Sequence, residues 1–267
     1  MPVHLPVELK PLSDAEFRDL DCQVMGVVFA LHRELGRFHS EQVYKDAAAQ
    51  VLREDGVGGI ERELPVTVSH RSFSKTYFLD LVVRHGVVYE FKTGDAITPD
   101  HERQALNYIL LCELPNGKIF NLRPASVKHR FINSSLALAQ RRRFEFITGR
   151  WQEAGDADGA FREVLHELLT DWGTFLELGL YEAALIHLLG GADKVCAPVR
   201  VMYRGREFAR VTMPMLGPGT AFKLTAMTSG LQSCESHLCR WLAASGLDSL
   251  QWVNFNHHRV EFVTLKE

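Results

Sequence analysis

Along the first half of the chain the apolar positions change period several times. Phe17, Leu20, Val24, Val27, Val28, Leu31 and Leu35 recur at helical spacing. They follow Ser13 and Glu16, three residues apart as in a capping box, so a helix ending near Gly36 is expected. Ser40-Glu41 begins a second helix over residues 44–52, which stops at Asp55-Gly56. Residues 61–70, 77–83 and 87–91 are runs rich in Val, Thr, Leu and Tyr, and predict three strands. The last two are joined by a tight turn at His85-Gly86. Thr98-Pro99-Asp100 opens a third helix through Leu111, Asn116-Gly117 reads as a turn, and residues 119–122 and 127–132 read as strands. The order is ααβββαββ.

Residues 141–159 mix arginine, aspartate and glycine and are expected to be a linker or bridging helix. Beyond them the pattern restarts. Residues 161–169 and 175–189 are helical, 199–203, 208–213 and 221–225 are strand-like, 231–244 is helical, and 250–255 and 259–265 are strand-like. The halves also share short words. YEFKT at 89–93 faces TAFKL at 220–224, VYKDAA at 43–48 faces LYEAAL at 180–185, ALNYIL at 105–110 faces LCRWLA at 238–243, and FNL at 120–122 faces VNF at 253–255. The offsets run in order between 131 and 137 residues, which points to a duplicated unit. On that alignment Asp80 falls in the run 211–213, Glu90 on Ala221 and Gln104 on His237. The second copy thus loses both carboxylates while keeping its apolar pattern.

Composition narrows the function. The chain has 267 residues, 46% hydrophobic and 24% charged, as ordinary globular proteins do. A net charge of -3 provides no global basic field, so contact with nucleic acid has to come from a local patch. Apolar runs such as 183–189 fall well short of the ~20 residues that span a bilayer, so no membrane span is expected. The five cysteines (Cys22, Cys112, Cys196, Cys234 and Cys239) are odd in number and follow a polar N-terminal stretch, which leads us to expect reduced thiols in the cytoplasm. Cys234 and Cys239, with His237 between them, lack the second ligand pair of a structural zinc site and read as core thiols.

Candidate chemistry concentrates at Asp80 and at Glu90-Phe91-Lys92. Acidic residues are depleted from strands, yet these interrupt the runs FLDLVV and VVYEFK. Glu90 and Lys92, two apart on a strand, share a face, and the turn at His85-Gly86 returns the chain beside Asp80. Two carboxylates at ~4 Å repel by about 4 kcal/mol at an effective dielectric of 20. A divalent cation reverses that sign, and oxygen-only ligands favour Mg²⁺, with Mn²⁺ as an alternative. The competing reading of the same spacing is a cross-strand ion pair on an exposed face.

The segments 34–57, 79–94, 101–111 and 119–124, taken in order, resemble the GxxExxY family of the PD-(D/E)XK nuclease superfamily over about residues 20–135. Glu41 and Tyr44 match the name-giving motif, with Phe38 in place of its glycine. Asp80, Glu90, Lys92, Gln104 and Tyr108 match the others. The resemblance implies an α/β fold, two tandem PD-(D/E)XK restriction-endonuclease-like domains, each a central mixed sheet flanked by helices. Residues 1–140 would form the domain with the intact site, 141–159 the linker, and 160–267 a degenerate repeat lacking the acidic residues.

It implies further that Asp80, Glu90 and the Phe91 carbonyl hold the metal, with Glu41 as an auxiliary acid. Lys92 would orient or help deprotonate water or offset developing charge, and Gln104 would reach in from its helix. Phosphodiester hydrolysis of DNA follows as the expected reaction. Lys75, Arg84, Lys128, His129 and Arg130 are candidate contacts to backbone phosphates. In the second half, Glu177 and Tyr181 echo the Glu/Tyr motif. That half is expected to bind no metal, to form a pseudo-dimer with the first within one chain, and to support the site, bind substrate or engage a protein partner. The alternative function is a catalytically inactive nucleic-acid- or protein-binding module that keeps the nuclease fold.

Overall fold

The computed structural model describes residues 2–153 and 155–266. The chain divides into two units, Met1–Ser69 with Ser74–Leu138, and His70–Phe73 with Ala139–Glu267.

The first unit runs β1 (Val3–His4), α1 (Asp14–Leu35), α2 (Glu41–Glu54), β2 (Glu61–His70), β3 (Phe73–Val83), β4 (Val87–Lys92), α3 (Pro99–Leu111), β5 (Asn116–Asn121) and β6 (Lys128–Asn133). Its six strands lie in chain order across one sheet. β4 is antiparallel to β3 and parallel to β5, and β5 is antiparallel to β6. β4 is buried from Val87 to Phe91, as a strand covered on both faces should be. Ser13 caps α1 with the reciprocal Glu16 bond that the sequence predicts. Leu20, Val24, Val28 and Leu31 of α1 and Tyr44, Ala48 and Leu52 of α2 pack with Leu81, Tyr89, Phe91 and Phe120. Each large apolar side chain so buried contributes about 1.5–3 kcal/mol.

Asn116-Gly117 is not a turn but the start of β5. A Cβ on Gly117 would lie 2.8 Å from Ile109 Cγ2, so the glycine is there to let α3 approach the sheet closely. A buried ion pair ties α1 to the same strand: Lys118 Nζ donates to both Asp21 oxygens, at 2.9 and 2.7 Å, and lies 4.1 Å from the centre of the Phe131 ring.

The second unit follows α4 (Leu138–Arg141). It runs β7 (Glu145–Arg150), α5 (Asp156–Trp172), α6 (Leu178–Leu188), α7 (Ala192–Val195), β8 (Cys196–Tyr203), β9 (Arg206–Gly217), β10 (Thr220–Thr225), α8 (Leu231–Ser245), β11 (Ser249–Asn256) and β12 (Arg259–Lys266). The sheet order is β7-β12-β11-β10-β9-β8. Val199, Ala221, Leu242, Leu250, Trp252 and Val263 form its core. Residues 141–159, expected to be a linker or bridging helix, contain β7, which pairs in parallel with β12, and the start of α5. β7 is mostly exposed, so its few apolar side chains left little periodic signal.

Apart from β1, β7 and the short helices α4 and α7, both units follow the order ααβββαββ. Each places a parallel pair, β4/β5 or β10/β11, between antiparallel neighbours, and the second unit adds the parallel β12/β7 edge. Two side-chain bonds recur as well. The Tyr44 hydroxyl donates to Gly36 O and the Tyr181 hydroxyl to Gly173 O, in each case the glycine that ends the preceding helix. Asn121 Nδ2 donates to Gly94 O and Asn254 Nδ2 to Met227 O.

Candidate active site

The ladder between β3 and β4 runs only as far as the Leu81–Tyr89 pair. Asp80 and Glu90 stand one residue beyond that rung, where the two strands part. The side chains replace the missing ladder bonds: Phe91 N donates to Asp80 Oδ2 at 2.8 Å, and Asp80 N to Glu90 Oε1 at 3.3 Å. Lys92 Nζ lies 3.3 Å from Glu90 Oε2. Asp80, Glu90 and Lys92 therefore come together. Glu90 is only 2% exposed, which sets aside the exposed-face ion pair as an account of this spacing.

Burial, and after it the charge of Asp80, push the Glu90 carboxyl up to about 8, although Lys92 pulls the other way. Burial thus favours the protonated form of Glu90.

Two residues that the sequence reading missed adjoin Asp80 or its partner. Lys45 Nζ, from α2, donates to Asp80 Oδ1 at 2.9 Å and also to Glu63 of β2. Burial pulls the Lys45 pKa down, but its bonds to Glu63 and Asp80 outweigh burial and the net shift is upward. The signal was present in α2, where Lys45 occupies the buried stripe with Ala48, Ala49 and Leu52. Glu63 sits at φ 48°, a left-handed conformation that a non-glycine residue rarely adopts within a strand.

The other expected residues are placed differently. Glu41 Oε1 accepts from Thr93 N at 2.9 Å. It ties the start of α2 to the chain just past Lys92 and is bonded there rather than to the acidic pair. Gln104 donates its amide to the Tyr108 hydroxyl at 2.8 Å, one turn along α3. Of the candidate phosphate contacts, Lys128, His129 and Arg130 are consecutive on β6, so His129 faces opposite to the other two. Arg130 pairs with Glu102, and Lys75 lies over the Tyr77 ring. Arg84 is exposed in the β3–β4 turn.

The donor set fits a hard divalent ion. Asp80 and Glu90 supply carboxylate oxygens. In the parallel β4/β5 pair alternate residues bond to β5, and the bond from Leu122 N to Lys92 O assigns Lys92 to that side. The Phe91 carbonyl accordingly faces β3, beyond the last rung of that ladder. Asp80, Glu90 and the Phe91 carbonyl thus offer oxygens of the kinds such ions take, but all four carboxylate oxygens are already hydrogen-bonded, Lys45 holding one of Asp80's, and among the described residues no group of three His, Cys, Asp or Glu side chains is placed to hold a metal ion.

Acids thus stand where two central strands part, with a lysine two residues past the second acid. Residues 18–132 match the family model of the PD-(D/E)XK nuclease superfamily. Among solved structures, the crystal structure of SSO0001 matches at 21% identity over 47% of this chain and 61% of that one, with a TM-score of 0.29, so the match spans about three fifths of that protein. No curated protein matches the chain. Among the described residues no helix is long and apolar enough to cross a membrane.

Proposed function

We propose that the first unit is a divalent-metal-dependent nuclease that hydrolyses phosphodiester bonds of DNA. The reading rests above all on the convergence of Asp80, Glu90 and Lys92 where β3 and β4 part. Asp80, Glu90 and the Phe91 carbonyl would hold the ion, Mg²⁺ by the hardness of the donors, with Mn²⁺ as the alternative. Such an ion polarises a phosphoryl oxygen and lowers the pKa of a water molecule. Lys92, held by Glu90 at the cleft, offsets negative charge developing on the phosphoryl group. Glu41, through Thr93, fixes the chain just past Lys92. Lys45 orients Asp80.

We further infer that the second unit is a degenerate copy of the first. The shared strand order, the central parallel pair and the recurring tyrosine and asparagine bonds support this. Aligning Asn121 with Asn254 revises the equivalences drawn from sequence words. Glu90 then corresponds to Lys223 rather than Ala221, and Lys92 to Thr225. The β9/β10 register carries Asp80 to Met213. No carboxylate remains at either acidic position, so this copy would not hold the ion.

The test is calorimetric titration of Mg²⁺ and Mn²⁺ into wild type, Asp80→Asn and Glu90→Gln, together with cleavage of plasmid and oligonucleotide DNA. Binding and cleavage that disappear together in both variants are expected. Equal cleavage by the variants would remove these residues as its source. Absence of metal binding and cleavage in wild type would favour the non-catalytic binding module, for which the Lys45 ammonium on Asp80 is the one supporting contact.

A further inference from the structure

The β8–β9 hairpin carries a feature that neither core packing nor the cleft uses. Near its base Val199, Met213 and Met215 belong to the core of the second unit. Beyond them the ribbon is on its own: every residue from Tyr203 to Thr212 is exposed, on both faces. A two-stranded ribbon without a core is marginal in water, so apolar surface at its tip needs another reason. Here Phe208 is 82% exposed and Tyr203 is 61% exposed.

The geometry of the tip is well defined. Arg204 and Gly205 turn with φ 51° and 74°, as a two-residue hairpin turn requires. The register shifts between Val201 and Met202, leaving Phe208 as the additional residue at the bulge.

Charge is equally uneven. Residues 200–212 contain Arg200, Arg204, Arg206 and Arg210 against a single acid, Glu207. Arg200 stands directly across from Arg210, a like-charge pairing that destabilises a ladder. Glu207 accepts from Arg210 at 2.6 Å, and Arg204 lies 5.2 Å from the centre of the Tyr203 ring. The ribbon thus presents cationic groups interleaved with aromatic faces.

We propose that this hairpin grips single-stranded nucleic acid, its arginines following the phosphates and Tyr203 and Phe208 stacking on bases. Choosing nucleic acid among anions rests on the nuclease reading of the first unit. Choosing a single strand rests on the rings, because a duplex keeps its base faces stacked and out of reach while a single strand offers them.

The experiment uses the full chain in EDTA, so that binding is read without cleavage. The probes are a fluorescein-labelled twenty-residue oligothymidylate, a duplex of the same length and phosphatidylserine vesicles. Wild type is expected to bind the single strand more tightly than the duplex. Tyr203→Ala with Phe208→Ala should weaken single-strand binding by about tenfold or more. Arg200→Ala, Arg204→Ala and Arg206→Ala together should flatten the slope of log K against log salt by about 2. All three probes are read on variants whose circular dichroism and melting match wild type, as substitutions at an exposed tip allow. Unchanged single-strand affinity in both variants would overturn the proposal. So would hairpin-dependent binding of vesicles but not of the oligonucleotide, or a self-association that the variants abolish while binding persists. Cleavage assays separate the two ideas. Hairpin-dependent binding in a protein that fails to cut with either Mg²⁺ or Mn²⁺ refutes only the nuclease reading. Metal-dependent cutting by a protein whose hairpin variants bind as wild type refutes only the hairpin.

Discussion

Glu90→Gln should stabilise the protein once divalent ions are removed, and increasingly so as pH rises. The Glu90 carboxyl ordinarily titrates near 4.5 and is raised in the fold to about 8, first by burial and then by the Asp80 charge. Between those values the folded form holds a proton that the unfolded chain has released, so stability falls as pH climbs through the window. Each pH unit spent between the two values costs ~1.4 kcal/mol. The ionised carboxylate should therefore weaken the fold by a few kcal/mol at the alkaline end. Glutamine keeps the shape and an oxygen that can accept from Asp80 N, and it gives up the attraction to Lys92 across 3.3 Å. That attraction is already contained in the net rise. Urea unfolding in EDTA should find near parity at about pH 5 and an advantage to the variant on the order of a few kcal/mol at about pH 8.5. Adding Mg²⁺ to a hundredfold excess over its Kd should then raise wild type by ~2.7 kcal/mol and the variant by less. A variant no more stable than wild type at pH 8.5, or a gap independent of pH, would refute the reasoning.

Other outcomes follow from the same geometry. Lys45→Met leaves the buried Asp80 carboxylate without its ammonium and should cost about 3–5 kcal/mol in EDTA, with partial recovery on adding Mn²⁺, measured by thermal melting with and without the ion. Asp21→Asn and Lys118→Met should each cost ~3 kcal/mol, whereas the double variant should lose far less than their sum, which a double-mutant cycle in urea will read. Tyr44→Phe and Tyr181→Phe each remove one hydroxyl–carbonyl bond and should each lower stability by ~1 kcal/mol in denaturant melts, by similar amounts if the two bonds have the same role.

The sequence carried the element order well because the apolar periods are clean. α1 has its capping box, β4 is an uninterrupted buried run, and Asp80 and Glu90 stood out as acids inside such runs. What it hid has physical causes. Asn116-Gly117 carries turn chemistry, but the glycine is needed where α3 presses on β5, a requirement set by tertiary contact. β7 is an exposed edge strand whose neighbour β12 lies more than a hundred residues away in the chain. Lys45 and Glu63 meet Asp80 only after α2 and β2 have folded against β3, and no spacing rule links the three. The duplication we propose was suggested by short words, and in the alignment that superposes the asparagines Lys92 and Lys223 stand two residues apart.

Glu63 deserves to be followed in evolution and in engineering. A glycine at that backbone angle would relieve roughly 1 kcal/mol or more of steric conflict. It would also remove the second carboxylate that receives Lys45. Selection for heat resistance alone should therefore pull this position toward small, permissive residues, while selection for a working cleft should hold the acid in place, so a library sorted by each criterion in turn would diverge first at this position.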